Sequence, residues 1–447
     1  MLGSLALFAL AAMLLQSGCE SASHDNIDRW LSTQKGPDKL KNALRDSELG
    51  PDLRAHAGQN LIRMDEHENV VQAFETMDEA ERQTVLEKLV SRLWQDARID
   101  GEFSVPSSGQ VGAKDALFEL RRFAVGAVLQ VIDGYLLDWL TGGYYAGRAR
   151  QGRFRGALIM RNLGPKAAPK LLRAAKSIVA SPPDEKGRRV VIEAALMLGL
   201  AATGSPEAVD FVLKLVNLER DDPGLSQRAF DALYQGYVKN ENLFDIADGK
   251  ALVPYLDRLV GIAQDETRST RMVNDAIRLI GAAGPPDCIK PLVELTLFPH
   301  ENEDFLWVAA NAAVQCGKAQ AIVPVAEALP ENGSYERRKL AGALWEPVAA
   351  LSDKKSAADQ ARILLRSKSW VARIIGVELL GHLSLADRAA DDARYIGKLE
   401  NDKTILRGWW GSQRNVPRAD RKPLPRLGQR AAQVASELAK LAPGSGK

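Results

Sequence analysis

One layout recurs along this chain and limits what the chain can fold into. Four segments each carry an apolar stretch at helical spacing, a glycine, a short proline-bearing turn and a second apolar stretch. Their turn glycines are Gly164, Gly204, Gly284 and Gly317. The wide gap in the middle has room for a further unit, which Gly249 and Pro254 supply, so units are about 33 to 45 residues long. That length is typical of solenoids built from helix pairs.

The glycine and the proline each have a physical role at the joint between two helices. Glycine ends the first helix because it adopts the left-handed conformation without a steric penalty. Proline begins the next helix, where its missing N–H would have no partner in any case. Alanine at positions of close approach lets the paired helices pack tightly, so each unit buries its apolar stripe against its neighbours. The pattern predicts an all-α solenoid of stacked helix pairs.

These segments resemble HEAT repeats, and the resemblance covers residues 114–399, with a looser match before them. It implies an all-α, HEAT-like α-solenoid. It does not identify a ligand, because one fold supports many different functions. A minority of related helical-repeat folds catalyse reactions, among them DNA glycosylases and pigment lyases. A helical-repeat enzyme of the glycosylase or lyase type is therefore the alternative to a binding protein.

Segments of different character flank the repeats. Residues 25–98 show apolar side chains at helical spacing and an excess of acidic ones, which predicts an acidic segment of about four helices. Residues 99–113 are rich in Gly, Ser, Pro and Val and are expected to form a loop. Residues 400–447 are basic and rich in Trp and Pro, and a capping helix is expected over Gln429–Leu441.

The N-terminus predicts export. Residues 1–18 form an uncharged, largely apolar run that ends in Ser17 and Gly18 directly before Cys19. This ending resembles the lipobox of bacterial lipoproteins, although Gln16 departs from the usual pattern and no Lys or Arg precedes the run. The resemblance implies a lipidated Cys19, a tether over residues 19–24, and a protein held at the bacterial cell envelope, on the outer membrane and facing the periplasm. A plain signal peptide or an uncleaved anchor is the alternative.

Overall composition excludes some functions. Hydrophobic residues make up 46% of the chain, which leaves ample material for a core and excludes disorder as the main state. The formal net charge is only +2, so no nucleic acid is expected as a partner.

Catalytic signatures are absent from the sequence. It contains no H-E-x-x-H, no G-x-S-x-G and no EF-hand loop. The His- and acid-containing groups Asp65–Glu68 and His300–Asp304 contain metal-binding donors, but they are more typical of solvated helix joints. We expect no catalytic residue, no metal, no cofactor and no enzymatic activity.

A basic stretch is the first candidate binding surface. No acidic residue occurs between Asp138 and Asp184, whereas nine Lys and Arg side chains do. The residues predicted to contact a partner are Tyr144, Tyr145, Arg148, Arg150, Arg153 and Arg155. A solvated helix face is the plain alternative, whereas the functional interpretation is a site for an unknown protein or an anionic component of the envelope.

Two adjacent indoles are the second candidate. Trp409 and Trp410 lie between glycines and before a basic run. Neighbouring side chains diverge, so one indole is expected to cover the last repeat while the other contacts a partner.

Two cysteines remain once Cys19 is assigned to the anchor. Cys288 and Cys316 each lie in an apolar helical stretch, where buried, unpaired thiols are the simplest interpretation. An exported chain also permits a disulfide between them, and sequence alone does not place their sulfurs. Taken together, the sequence predicts a membrane-anchored HEAT-repeat lipoprotein that acts as a protein-binding scaffold.

Overall fold

The structure, a computed structural model, is all-α, as the repeated layout predicts. It describes residues 21–101, 104–181, 192–216, 224–238, 246–297, 304–329, 331, 347–348, 350–383, 388–406 and 426–441. Those residues contain no β-strand, and an isolated bridge joins Ile405 to Arg426. None of the described helices is long and apolar enough to span a membrane.

The chain divides into two compact units, residues 1–199 and residues 200–447. The helices of the first part of the chain are α1 (His24–Trp30), α2 (Gly36–Arg45), α3 (Pro51–Arg63), α4 (His67–Thr76), α5 (Glu79–Ala97), α6 (Ser108–Leu120), α7 (Gly126–Thr141), α8 (Tyr145–Ala149), α9 (Gly156–Leu163) and α10 (Ala168–Ala180).

In the first unit, α3 lies at the centre of the packing. It contacts α1, α2, α4, α5 and α6. Its side chains Ala55, Ala57 and Leu61 are fully buried. Pro51 occupies the first turn of the helix, where the missing N–H costs no hydrogen bond. The acidic segment expected to hold about four helices holds five, α1 to α5, because α1 forms a short separate helix.

The loop expected over residues 99–113 is shorter than predicted. Helix α6 begins at Ser108, within that range. Ser107 caps it through a reciprocal capping box, in which the Ser107 hydroxyl accepts from the Gln110 N–H and the Gln110 side chain accepts from the Ser107 N–H at 2.8 Å. This local signal outweighs the loop-like composition of the stretch.

The helices that follow in the chain are α11 (Ala194–Ala202), α12 (Pro206–Leu215), α13 (Leu225–Tyr237), α14 (Leu256–Gln264), α15 (Thr270–Ala282), α16 (Ile289–Leu297), α17 (Asp304–Gly317), α18 (Ile322–Ala328), α19 (Lys354–Leu364), α20 (Trp370–Leu383), α21 (Ala389–Gly397) and α22 (Leu427–Leu441). The predicted capping helix is therefore present as α22, two residues longer at its start.

In the second unit, helices from α14 to α18 stack in a regular order. Each contacts the next helix and the next but one, as in the series α14 with α15 and α16, and α15 with α16 and α17. Alternate helices therefore form two layers with the apolar residues between them. This is the arrangement of an α-solenoid of stacked helix pairs.

The joints between paired helices confirm most of the predicted glycine chemistry. Gly164, Gly204 and Gly284 have positive φ angles of 70°, 68° and 83°. Gly317 differs, because φ there is −81° and the positive φ falls on Lys318 instead. Gly317 is needed for space, since a Cβ there would lie within 2.8 Å of the Ile289 and Ala321 side chains.

Candidate partner-binding site

The predicted basic stretch begins on a short helix and continues on the loop after it. Tyr144 precedes α8, and residues 150–155, which we name the basic loop, connect α8 to α9. Cys19, Trp409 and Trp410 lie outside the described residues, so the roles expected of them stay predictions.

Two of the residues expected to contact a partner are buried. Arg148 is 4% exposed, and its Nη1 donates to the Trp139 carbonyl oxygen at 2.8 Å. Tyr145 is 7% exposed, and its hydroxyl lies against Gly199. The expectation for Arg148 and Tyr145 is therefore corrected. Sequence reasoning placed them outside because their side chains are polar, whereas the guanidinium caps the carbonyl end of α7 and the phenol ring fills the core.

A fully buried lysine holds the basic loop from inside. Lys114 lies on the core face of α6, between Ala113 and Leu117. Its Nζ donates to the carbonyl oxygens of Gln151 at 3.1 Å and Phe154 at 2.7 Å. The ammonium also lies 5.3 Å from the centre of the buried Trp139 ring.

The next residue in the chain, Asp115, completes the hold on the loop. It forms an ion pair with Lys114. Its two carboxylate oxygens accept from the backbone N–H groups of Arg153 at 2.7 Å and Phe154 at 3.2 Å. Burial lowers the pKa of Lys114, and the Asp115 charge and hydrogen bond oppose that shift. Two adjacent charged residues thus satisfy four backbone groups of one loop.

A glycine allows the loop to approach this pair. Gly152 has φ of +79°, a conformation that side chains other than glycine rarely adopt. A Cβ there would meet the Asp115 carboxylate and would lie 2.7 Å from the Val111 side chain. The close contact between loop and helix therefore depends on glycine at this position.

The fixed backbone directs the arginines of the loop outward. Arg150, Arg153 and Arg155 are all exposed. The Arg153 side chain is 72% exposed, packs on the Phe154 ring with its guanidinium 5.2 Å from the ring centre, and lies 3.7 Å from a Glu119 carboxylate oxygen. The structure therefore brings three of the four predicted arginines together on one surface loop.

Tyr144 lies at the other end of α8 and is 53% exposed. Its hydroxyl is hydrogen-bonded to the Glu193 carboxylate, and this bond raises the pKa of Tyr144. The charge of Arg150 opposes the shift, which indicates that the two side chains are near one another. Tyr144 is therefore the aromatic residue that accompanies the basic loop at the surface.

Other cations of the basic stretch lie on α10 and the turn before it. Lys166, Arg173 and Lys176 are exposed. Lys170 is paired with Asp138 of α7. The stretch therefore carries fewer uncompensated charges than its sequence implies, because an acidic residue just outside it folds back onto it.

A cleft of about 700 Å³ opens beside the basic loop. Its lining includes the carboxylates Asp65, Glu66, Glu68, Asp115 and Glu119, together with His67, Arg153 and Phe154. The cleft therefore has an acidic wall and a cationic edge supplied by the loop. Within the described part of the chain, no group of three or more His, Cys, Asp or Glu side chains is placed to hold a metal ion. Residues 300–303 of the second acidic group are outside that part.

Sequence reasoning missed Lys114 and Asp115. The available signal is the adjacent Lys–Asp pair in V-G-A-K-D-A-L-F, where the 3.6-residue period places Lys114 on the same face as Leu117. A lysine on the apolar face of a helix usually extends its side chain so that the ammonium reaches solvent. The pattern therefore does not predict that the Lys114 ammonium is buried.

The two remaining cysteines form a disulfide. Cys288 precedes α16 and Cys316 lies near the end of α17, with Cα atoms 6.6 Å apart, which is within the usual range for a disulfide. Both residues are buried. Of the two possibilities that the sequence left open, the structure has the bonded one.

Comparisons with known proteins identify no family. No protein-family model and no curated protein matches the sequence. An engineered protein of solved structure is 17% identical, over 90% of this chain and 98% of that chain, with a TM-score of 0.31. Human deoxyhypusine hydroxylase in complex with glycerol is 16% identical, over 80% of this chain and 97% of that chain, with a TM-score of 0.21. The all-α fold is shown by the chain's own helices.

Proposed function

We propose that this chain is an exported, lipid-anchored scaffold of the HEAT type, and that its basic loop binds an anionic protein or another anionic component of the bacterial cell envelope. Within this proposal the solenoid is the frame, Cys19 is the anchor, and Arg150, Arg153 and Arg155 with Tyr144 form the contact surface. No catalytic role is assigned.

The observation that carries the binding part is the buried pair of Lys114 and Asp115. Removing two charges from water costs several kcal/mol per ion, and a well-packed apolar pair in their place is often as stable or more stable. The hydrogen bonds that this pair makes beyond its own ion pair go to the backbone of the basic loop. A site that uses buried charge to fix a loop of exposed arginines is suited to presenting those arginines to a partner.

The loop's charge favours an anionic partner. A single exposed ion pair contributes only about 0.2 to 1 kcal/mol, so no one arginine is decisive. Several like charges together create a field that steers association, and salt weakens that field, because the screening length is about 10 Å at 0.1 M ionic strength. Binding through this loop should therefore depend on the whole set of charges and on salt.

Export and anchoring have separate support. Ser17, Gly18 and Cys19 match the end of a lipobox, and lipidation at Cys19 would supply more than one acyl chain, which gives much firmer membrane binding than a single chain. The disulfide between Cys288 and Cys316 also supports export, since such bonds persist in oxidising compartments such as the periplasm.

The binding part is tested by charge reversal. We would change Arg150, Arg153 and Arg155 to Glu in one variant, and the exposed lysines Lys88, Lys250 and Lys290 to Glu in a matched control with the same change in net charge. Both are then compared with the wild-type chain in pull-downs from solubilised membranes at low and high salt. We expect the loop variant to lose most of the captured partner and the control to keep it. Equal recovery from all three chains would contradict the binding role.

The anchor is tested independently. Cys19→Ser should abolish incorporation of labelled fatty acid and release the chain from the membrane fraction. Normal labelling of the variant, or its unchanged sedimentation with membranes, would contradict the lipoprotein assignment and would leave the binding role of the loop untouched.

A further inference from the structure

Two histidines distant in sequence meet where α1 packs on α3. His24 is the first residue of α1, and His56 lies in the middle of α3. Their Nδ1 atoms are 2.8 Å apart, a hydrogen-bond distance. The His24 side chain is 49% exposed and that of His56 only 8%. One imidazole of the pair is therefore open to solvent while the other is enclosed.

The far side of each ring faces a carboxylate. His24 Nε2 lies 3.2 Å from an Asp52 oxygen, and His56 Nε2 lies 2.8 Å from an Asp28 oxygen. The four side chains form a continuous series of contacts, from Asp52 through His24 and His56 to Asp28. Each carboxylate accepts a hydrogen bond when the Nε2 atom it faces carries a proton.

Counting protons along this series of contacts gives the charge of the pair. Two protons satisfy the two Nε2 contacts, and the Nδ1 to Nδ1 contact needs one more, because one nitrogen must donate and the other accept. Two neutral imidazoles carry only two protons in total. All three contacts are therefore satisfied together only when the two rings hold three protons and a net charge of +1.

The surroundings of His56 disfavour a positive charge on that ring. Burial lowers the pKa of His56, an effect that the positive charge of Arg92 reinforces and the Asp28 carboxylate opposes. Burial would raise the pKa of Asp28, but the hydrogen bonds from Asn60 and His56 and the charge of Arg63 lower it overall. The enclosed His56 is therefore the ring that is suited to accept at Nδ1 in the contact between the two imidazoles.

We propose that His24 and His56 share one proton and that this shared proton is a pH-sensitive latch holding α1 on α3. The latch has a best pH, because both adding and removing a proton break it. Two imidazolium rings would direct two Nδ1–H groups at each other. Two neutral rings leave one of the three contacts without its proton.

The two sides of the pH profile follow from this count. An unfolded His56 takes up a proton near its ordinary pKa of 6.5, whereas the folded one resists, so the docking of α1 weakens as the pH falls below that value. As the pH rises, the pair loses its shared proton and the contact between the rings fails. Docking should therefore be firmest at an intermediate pH, where the two rings together hold three protons.

A proton fits this site better than a metal ion does. A zinc ion bound by two imidazoles needs about 2.0 to 2.1 Å to each nitrogen, which separates the nitrogens by about 3.3 Å in tetrahedral geometry. The observed separation is 2.8 Å. Among the side chains that the structure describes, no third His, Cys, Asp or Glu is placed to complete a metal site here.

The latch has a consequence for the anchor, and this part rests on the proposed function. Helix α1 follows the tether that begins at Cys19, and only residues 31–35 separate it from α2. If α1 detaches, the tether lengthens by about 12 residues at about 3.4 Å each. The latch would therefore set how far the body of the protein reaches from the membrane.

Hydrogen exchange of α1 measures the latch directly and without the lipid. We would use the full-length mature chain carrying Cys19→Ser, measure amide protection in α1 at about pH 5, 7 and 9, and correct for intrinsic exchange rates. Helix α2, which contains no histidine, serves as internal reference. The apolar contacts of Ile27 and Trp30 remain when the latch opens, so we expect a partial loss of protection, about fivefold on either side of pH 7.

Two variants decide the outcome. His24→Gln retains a hydrogen-bonding side chain but cannot share a proton with His56, so its protection should be lower at pH 7 and should not fall further at pH 9, while the loss at pH 5 that comes from His56 remains. His67→Gln, a change at a histidine elsewhere in the unit, should behave as wild type. A flat wild-type profile, or the same profile in His24→Gln, would overturn the proposal. So would protection at pH 7 that disappears with a chelator and returns with zinc, which would indicate a metal site.

Discussion

The two units of the molecule bury charge in different ways. In the described part of the first unit, the buried acidic and basic side chains are Arg54, His56, Lys114, Asp115 and Arg148. Among the described residues of the second unit, the buried acidic and basic side chains are Asp275 and Asp392. Basic side chains therefore predominate among the buried charges of the first unit. In the second unit, Asp275 lies near Arg271 and Arg278 of its own helix, and Asp392 of α21 pairs with Arg362 of α19.

The partners of the buried cations explain the difference. Arg54 donates to the carbonyl oxygen of Leu44 at 2.9 Å, in the last turn of α2, and Arg148 donates to that of Trp139 near the end of α7. Helix ends leave such carbonyls without partners inside the helix. In the second unit, Gly204 and Gly284 end helices with a glycine turn, whereas Arg54 and Arg148 supply buried cations to helix ends of the first unit. In the first unit, Arg54, Lys114 and Arg148 thus satisfy backbone carbonyl groups from inside the core.

The largest effect that tests this comparison is expected at Lys114. Lys114→Met leaves the Asp115 carboxylate buried without its cation and should destabilise the first unit by about 3 to 5 kcal/mol. Denaturant unfolding measures the loss, and Lys88→Met, at an exposed lysine of α5, is the control. If the two variants unfold alike, the buried pair has no structural role.

The next effect concerns the disulfide between Cys288 and Cys316 in the second unit. The disulfide closes a loop with a sequence separation of 28 residues, and losing it should cost about 2 to 4 kcal/mol. We expect Cys288→Ala with Cys316→Ala, and wild type in reductant, to show the same shift in denaturant midpoint. A wild-type chain that is insensitive to reductant would mean that the cysteines act as separate buried thiols.

The smallest effect is expected for an ion pair between stacked helices. Arg271 on α15 lies 2.9 Å from Asp231 on α13 and is 68% exposed. Arg271→Met should therefore cost at most about 1 kcal/mol, and the cost should shrink in high salt. A loss as large as that of Lys114→Met would remove the contrast between the two units.

The sequence was sufficient for the regular parts of the fold. Gly164, Gly204 and Gly284 mark the joints correctly, because a positive φ is a local requirement that only a few residue types meet. For Gly317 the predicted reason for glycine, a positive φ, was wrong. Glycine is required there because the helix packs closely against Ile289, which lies 28 positions earlier in the chain. The start of α6 was missed because Ser107 and Gln110 act as a pair inside a stretch of loop-like composition.

The candidate site was only partly predictable. Charge composition located the basic loop, and Arg150, Arg153, Arg155 and Tyr144 do lie at the surface. Burial of Arg148 depends on a carbonyl nine residues away in the chain, and the role of Lys114 depends on backbone groups about forty residues away. Contacts with distant backbone groups leave no repeating pattern in the sequence. The helical spacing of apolar residues therefore cannot predict them.

The most direct test of the central claim separates the stability of the first unit from the order of its basic loop. The double variant Lys114→Met with Asp115→Leu replaces the buried pair with apolar side chains, which is often nearly neutral for stability. We would measure its unfolding, the hydrogen exchange of residues 150–155, and capture of the partner from solubilised membranes. The account predicts a smaller loss of stability than Lys114→Met causes, because no charge is left buried alone, together with faster exchange in the basic loop and a large loss of capture. Undiminished capture by a variant whose loop exchanges faster would show that the buried pair does not serve binding.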